Sequence, residues 1–182
     1  MKKIISFVFF FLFSVIGFFV PAVAQEAPSA KEAASPWEAM FPDGLIKAGQ
    51  KSKAAGKAHF KSMKGKFVGV YSSASWCGPC RSFTPRLVKF YKKNQKEIEI
   101  VFRSADKTEK AMLSYIKKDK MKWLAVPFGK QAKSKSASGI PHLVVYSPDG
   151  KVFAEISGAG ERSFNALDEL PKLMKKWKEE NK

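Results

Sequence analysis

Trp76-Cys77-Gly78-Pro79-Cys80 contains the only two cysteines of the 182-residue chain. Their spacing brings two thiols within one helical turn, which suits reversible dithiol–disulfide chemistry. An attacking thiolate forms a mixed disulfide with its substrate and must then be released by a second thiol within bonding reach. Gly78 and Pro79 remove bulk and one N–H beside the first sulfur, and Pro79 presets φ for the first turn of a helix. Cys77 is therefore the candidate nucleophile and Cys80 the resolving thiol. Two other uses compete with this one. A purely structural disulfide across so short a loop would constrain little of the unfolded chain. Half of a zinc site would need further soft ligands, and only His59 and His142 remain to supply them. The sequence carries no metal set and no cofactor-binding motif.

The pair needs a strand before it and a helix after it. The apolar run 66–73 predicts the strand, and Phe83, Leu87, Val88 and Tyr91 recur at helical spacing behind Pro79, with Pro85 expected to kink the helix. Such a junction leaves Cys77 near the helix N-terminus, where free N–H groups and the macrodipole favour thiolate over thiol. Residues 98–102 predict a buried strand, and 108–118 a helix with Met112, Tyr115 and Ile116 inward. Strand, helix, strand, helix implies a parallel βαβ core. A β-hairpin follows over 142–156 around Pro148-Asp149-Gly150. The last amphipathic helix, 164–178, puts Leu167, Leu170, Leu173, Met174 and Trp177 on its apolar side, with Pro171 breaking or delaying it. The fold class is α/β, a mixed central sheet flanked by helices.

The N-terminus runs Met1-Lys2-Lys3, an apolar stretch over 4–20, then Pro21 and Ala22-Val23-Ala24, the order of a secretory signal cleaved after Ala24. Uncleaved, the same stretch would be a membrane anchor. Residues 25–57 form a flexible, basic lead-in: 25–36 is rich in Ala, Pro, Ser and Glu, 37–41 is an apolar island that docks or starts a short helix, and 47–57 alternates Lys with small residues. A weak edge strand is expected over 58–63, and the domain spans 58–182. Removing the first 24 residues leaves 158, enough for one domain with a core, and lowers the net charge from +17 to +15 because Lys2 and Lys3 are lost. This charge favours acidic partners or an anionic envelope surface, or simply keeps the protein solvated. Nucleic acid is not expected for a periplasmic or extracellular protein. An oxidising compartment keeps the cysteine pair in its disulfide unless electrons arrive, so a reducing role requires an upstream donor such as a membrane thiol reductase.

The block Ser73-Ala74-Ser75-Trp76-Cys77-Gly78-Pro79-Cys80-Arg81-Ser82-Phe83-Thr84-Pro85 resembles the thioredoxin superfamily, specifically its tryparedoxin and nucleoredoxin branch. Two more blocks carry the resemblance, Trp123-Leu124-Ala125-Val126-Pro127-Phe128 and Gly139-Ile140-Pro141, the latter similar to the superfamily's cis-proline loop. The likeness covers about residues 57–157. It implies a thioredoxin-like fold in which Cys77 attacks, Cys80 resolves and Pro141 lies in cis facing the disulfide. The backbone of Ile140 would pair with an extended substrate segment, bordered by Trp76, Gly78 and Pro79. Arg81 is either a guide for acidic substrates or an ordinary helical arginine. His142 is a further substrate-contact candidate, and His59 a structural or surface residue.

Some positions depart from the branch. Tyr71 stands where many thioredoxins have a buried acid six residues before the first cysteine, which leaves solvent, Tyr71, Asp106 and Glu109 as acceptors of the Cys80 proton. Gly78-Pro79 replaces the branch's usual two prolines, Ala105-Asp106 stands where Trp beside an acid is common, and Lys122 replaces a frequent proline. The resemblance implies an exported thiol-disulfide oxidoreductase acting on disulfide-containing client proteins, with reduction favoured over oxidation by Gly78-Pro79. A peroxide-reducing role is less suited to such cysteines. A reading of another class is a non-catalytic envelope-binding module whose basic surface does the binding.

Overall fold

The computed structural model describes residues 35–130, 132–135 and 138–182. The signal-like pattern of 1–24 and the first part of the lead-in, 25–34, lie outside them. The elements run α1 (Pro36–Met40), β1 (Ile46–Lys47), β2 (Phe67–Ser73), α2 (Gly78–Asn94), β3 (Ile98–Ser104), α3 (Glu109–Lys118), β4 (Leu124–Ala125), β5 (His142–Tyr146), β6 (Val152–Ser157) and α4 (Glu161–Glu180).

The six strands form one mixed sheet in the order β1-β4-β3-β2-β5-β6. β2 pairs parallel with β3, and β3 with β4; β5, β6 and β1 join antiparallel. The expected parallel core with a C-terminal hairpin is thus present, and Gly150, at φ +84°, supplies the left-handed residue of the hairpin turn.

β2 is buried along its whole length, as a central strand covered on both faces must be. The pleat sends Phe67 and Tyr71 to one face, where they meet Phe83 and Leu87 of α2, Met112 and Tyr115 of α3, and Leu167, Leu170 and Met174 of α4. Val68 and Val70 go to the other face and meet Trp37, Phe41, Leu45, Phe60 and Met63. This second layer corrects the expected boundaries. Residues 35–57 are not a loose lead-in: Trp37, Phe41, Leu45 and Ile46 are all buried, and the domain includes them. Ser35 caps α1 through its side chain, Pro36 opens that helix, and Leu45 bridges back to Gly56.

Three other expectations change. Residues Lys57–Met63 form a 3-10 helix in place of an edge strand, because Phe60 and Met63, three apart, both turn inward. Pro171 does not break α4, whose Leu167, Leu170 and Met174 are buried while Leu173 stays 47% exposed. Packing of that apolar stripe offsets the roughly 3 kcal/mol an interior proline costs. α2 likewise runs unbroken through Pro85.

Glu99 is an acid in this core, at the end of β3 away from Ser104. Its Oε1 accepts hydrogen bonds from the Tyr91 hydroxyl (2.9 Å) and the Ile100 N–H (3.0 Å), yet burial outweighs them and pushes the carboxyl above its usual value. A raised native value means the folded state holds its proton more tightly than the unfolded chain, so stability falls as pH rises from the ordinary carboxylate range through that native value. Glu99→Gln should therefore raise the urea midpoint at pH 7 and change it little at pH 3. A stabilisation as large at pH 3 as at pH 7 would contradict this.

Candidate active site

Cys77 is the N-cap of α2, and its backbone is extended (φ −83°, ψ 113°) where β2 hands over to the helix. The Cys80 N–H, one of the helix's unpaired donors, lies 3.2 Å from Cys77 Sγ. The two cysteines form a disulfide with Cα atoms 5.2 Å apart. They are not equivalent: Cys77 retains 7% exposure and Cys80 none. An incoming thiolate or client disulfide therefore reaches Cys77 and not its partner.

Trp76 is 60% exposed, and Gly78 and Pro79 are also on the surface. A Cβ at Gly78 would meet nothing within 4 Å, so a glycine there keeps the approach to the sulfur low rather than relieving a clash inside the protein. The Ile140–Pro141 peptide is cis. The Ile140 carbonyl oxygen is 3.7 Å from Cys77 Sγ, and because a disulfide sulfur has no proton to donate this is a packing contact. Among the described residues, the Ile140 N–H makes no hydrogen bond. The structure thus brings Trp76, Cys77, Gly78, Pro79, Cys80, Ile140 and Pro141 to one place.

The candidate proton acceptors fare differently. Asp106 Oδ1 accepts the Ser75 N–H (2.9 Å) and Ser75 hydroxyl (2.6 Å), and Oδ2 accepts the Ser104 hydroxyl (2.8 Å). It ties the end of β3 to the loop that carries Trp76 and Cys77. Glu109 receives the Ser52 N–H at 2.6 Å, and the Ser52 side chain together with that N–H holds its carboxyl below the usual value. Burial raises the Tyr71 hydroxyl far above its ordinary value, so this phenol keeps its proton.

Proton counting fixes what Tyr71 does instead. The Thr84 hydroxyl has one proton and gives it to the Cys80 carbonyl, 2.9 Å away. Its oxygen must then accept from both the Tyr71 and Tyr115 hydroxyls, each at 2.7 Å. Tyr115 in turn lies 3.2 Å from the Ser73 hydroxyl. Strand β2, helix α3 and the first turn of α2 are joined through one buried oxygen behind the resolving cysteine. Sequence reasoning missed Thr84, Ser73 and the role of Tyr115. The signal was a polar residue four positions after Cys80, on a helix face otherwise apolar.

His142, at the start of β5, is buried with Nε2 3.4 Å from Glu155, which also holds Lys135. Nothing brings it against the disulfide. His59 lies in the 3-10 helix, away from the cysteines.

A mixed sheet with a Cys-x-x-Cys pair capping the helix behind its central strand defines a thioredoxin-type dithiol site. The thioredoxin-like family model matches residues 65–152. Over 100 residues the chain is 43% identical to nucleoredoxin of Mus musculus, covering 50% of this chain and 22% of that protein. It is 39% identical over 103 residues to tryparedoxin of Trypanosoma brucei brucei, covering 52% and 70%. The solved structure of tryparedoxin I from Leishmania major superposes with a TM-score of 0.54 at 35% identity, over 70% of this chain and 85% of that one. The chain belongs to the thioredoxin-like oxidoreductase family, in its tryparedoxin and nucleoredoxin branch. It spans about a fifth of the length of the nucleoredoxins it matches.

Thr84→Val keeps the shape but leaves the two tyrosine hydroxyls facing carbon. Stranding buried donors costs about 1–3 kcal/mol each, so the variant should lose roughly 2–4 kcal/mol in urea unfolding of the oxidised protein. Tyr71→Phe removes one donor and strands nothing, so its loss should be about 1 kcal/mol. Equal losses, or a neutral Thr84→Val, would overturn the assigned hydrogen-bond directions.

Proposed function

We propose that this protein is an exported thiol-disulfide oxidoreductase that reduces disulfides in client proteins. The observation that carries the reading is the asymmetry of the pair: Cys77 caps the helix and is reachable, while Cys80 is fully buried behind it, its N–H aimed at the first sulfur. The same N–H that lies against the disulfide sulfur is available to a thiolate, and with the helix dipole it lowers the energy of the ionised Cys77.

In the reduced protein the Cys77 thiolate attacks one sulfur of a client disulfide. One Sγ–S bond forms, the client S–S bond breaks, and the other client sulfur leaves as a thiolate that takes a proton from water. Cys80 then loses its proton to solvent, attacks Cys77 Sγ and expels the second client thiolate. The client gains two electrons and the protein loses two, ending in the Cys77–Cys80 disulfide. An upstream dithiol donor restores the pair. Solvent is the acceptor that fits, because Tyr71 retains its own proton and Asp106 and Glu109 are held by Ser75, Ser104 and Ser52. Among the described residues the Ile140 N–H has no partner, and a client backbone that pairs with it would make recognition at the sulfur itself depend little on client sequence.

Export rests on the N-terminal charge, apolar run and Ala-Val-Ala order, and reduction over oxidation on Gly78-Pro79. Among the described residues no helix is long and apolar enough to cross a membrane. A non-catalytic envelope binder would have no use for one reachable and one buried sulfur.

The test is trapping in the native compartment. Cys80→Ser should accumulate mixed disulfides on Cys77 that run as reducible adducts in gels of the exported fraction. Cys77→Ser should form none and lose disulfide-reducing activity by about 10³-fold or more, since the nucleophile is gone. Adducts found only in the unexported fraction would refute export. Full activity in Cys77→Ser would refute the mechanism.

A further inference from the structure

Beside the active-site loop the surface carries more positive charge than its carboxylates neutralise. A hollow of about 380 Å³ opens between the active-site loop and α3, lined by Ser75, Arg81, Ser114, Tyr115, Lys118 and Asp119. A second, of about 800 Å³, lies along α3 toward residues 48–51 and 120–122. The partly exposed Leu113 contributes apolar surface to it, with Ile116 and Met121 buried beneath, and Lys51, Lys110, Lys117, Lys120 and Lys122 supply cations. Ser114 lines both hollows, so the two make one track across α3 that begins against the loop holding Trp76 and Cys77.

Seven cationic side chains line this track and two carboxylates face them. Glu109 is one, already occupied by the Ser52 N–H. Asp119 is the other; partial burial pushes its carboxyl above the usual value, against the pull of the nearby Lys118 and Arg81. Among the described residues none of the seven cations has a carboxylate within 4.0 Å. The lysines near the end of α4 differ: Lys175, Lys176 and Lys178 pair with Glu179, Glu180 and Glu97. Seven cations against two carboxylates leave an excess of five positive charges, which raises the energy of the fold and attracts an anion.

We propose that this track selects the client: it holds an acidic stretch of client polypeptide, its carboxylates against the lysines and an apolar side chain on the partly exposed Leu113, while the client disulfide lies over Cys77. The proposal rests on the oxidoreductase reading and names its substrate class. A polypeptide is the occupant because the track starts at the active-site loop, at Ser75 and Arg81, and combines the apolar surface of Leu113 with separated cations, which acidic and apolar side chains of one chain match. An extended chain advances about 3.3 Å per residue and a helix with its side chains is about 10–12 Å across. The acidic residues should therefore begin roughly three to four positions from the client cysteine.

Two disulfide-bonded peptides, identical except for three Glu or three Gln beginning there, distinguish the outcomes. The readout is the second-order rate constant for oxidation of the reduced protein, with uncharged 2-hydroxyethyl disulfide as control. The Glu peptide should react about tenfold or more faster at low ionic strength, and the ratio should shrink toward one at about 0.5 M salt. The double variant Lys110→Glu, Lys117→Glu should lose the preference while its rate with 2-hydroxyethyl disulfide stays the same. Equal peptide rates at low salt, or a preference that survives the double substitution, would overturn the proposal and leave the oxidoreductase reading standing. Equal peptide rates together with binding to phosphatidylglycerol vesicles that the double variant loses would overturn it in favour of a lipid surface. No reaction with 2-hydroxyethyl disulfide in the wild-type protein would remove the underlying reading and this one with it.

Discussion

The chemistry depends on one contact, the Cys80 N–H held against Cys77 Sγ at the first turn of α2. It exists because β2 ends and α2 begins within a few residues, so that Cys77 is both the last extended residue and the helix cap. A cysteine in mid-helix would find every nearby N–H already bonded to a carbonyl. A cysteine on a loop would find none oriented toward it. Capping gives the sulfur a donor and the positive end of the helix dipole together, and leaves it at the surface.

Most of the remaining structure keeps that junction where it is. Two apolar layers clamp β2, one built by α2, α3 and α4 and the other by α1 and the 3-10 helix. Polar groups do the finer positioning. Thr84 receives hydrogen bonds from β2 and α3 and passes one to the Cys80 carbonyl, while Asp106 pins the loop from the opposite strand end. Both are buried and each replaces water with protein donors, so their geometry is set by the fold itself. The cost of a site this rigid falls on the protein's own fold; the benefit is that the sulfur does not need to be organised during attack.

The cysteine pair, its strand and its helix were legible in the sequence because spacing alone constrains them. The hairpin was legible for the same reason, since Asp149-Gly150 suits a tight turn between two apolar runs. What was not legible came from tertiary contacts. The two-residue β1 has no periodicity to detect, and the lysines around Leu45 and Ile46 concealed how deeply those two are buried. The weak pattern at 58–63 fitted a strand, whereas Phe60 and Met63 share an inward face three residues apart. Thr84 could have been suspected as a polar residue on an inward helix face. Its two tyrosine partners, from a strand and another helix, could not.

The central claim is that Cys77, and not Cys80, is ionised and reachable at neutral pH. The pH dependence of iodoacetamide alkylation of the folded, reduced protein tests it most directly, with mass mapping of the labelled cysteine. The account predicts that label enters Cys77 alone, with an apparent pKa at least about one unit below the ordinary cysteine value of about 8.5. Labelling of both cysteines at similar rates, or a Cys77 value at or above 8.5, would contradict it.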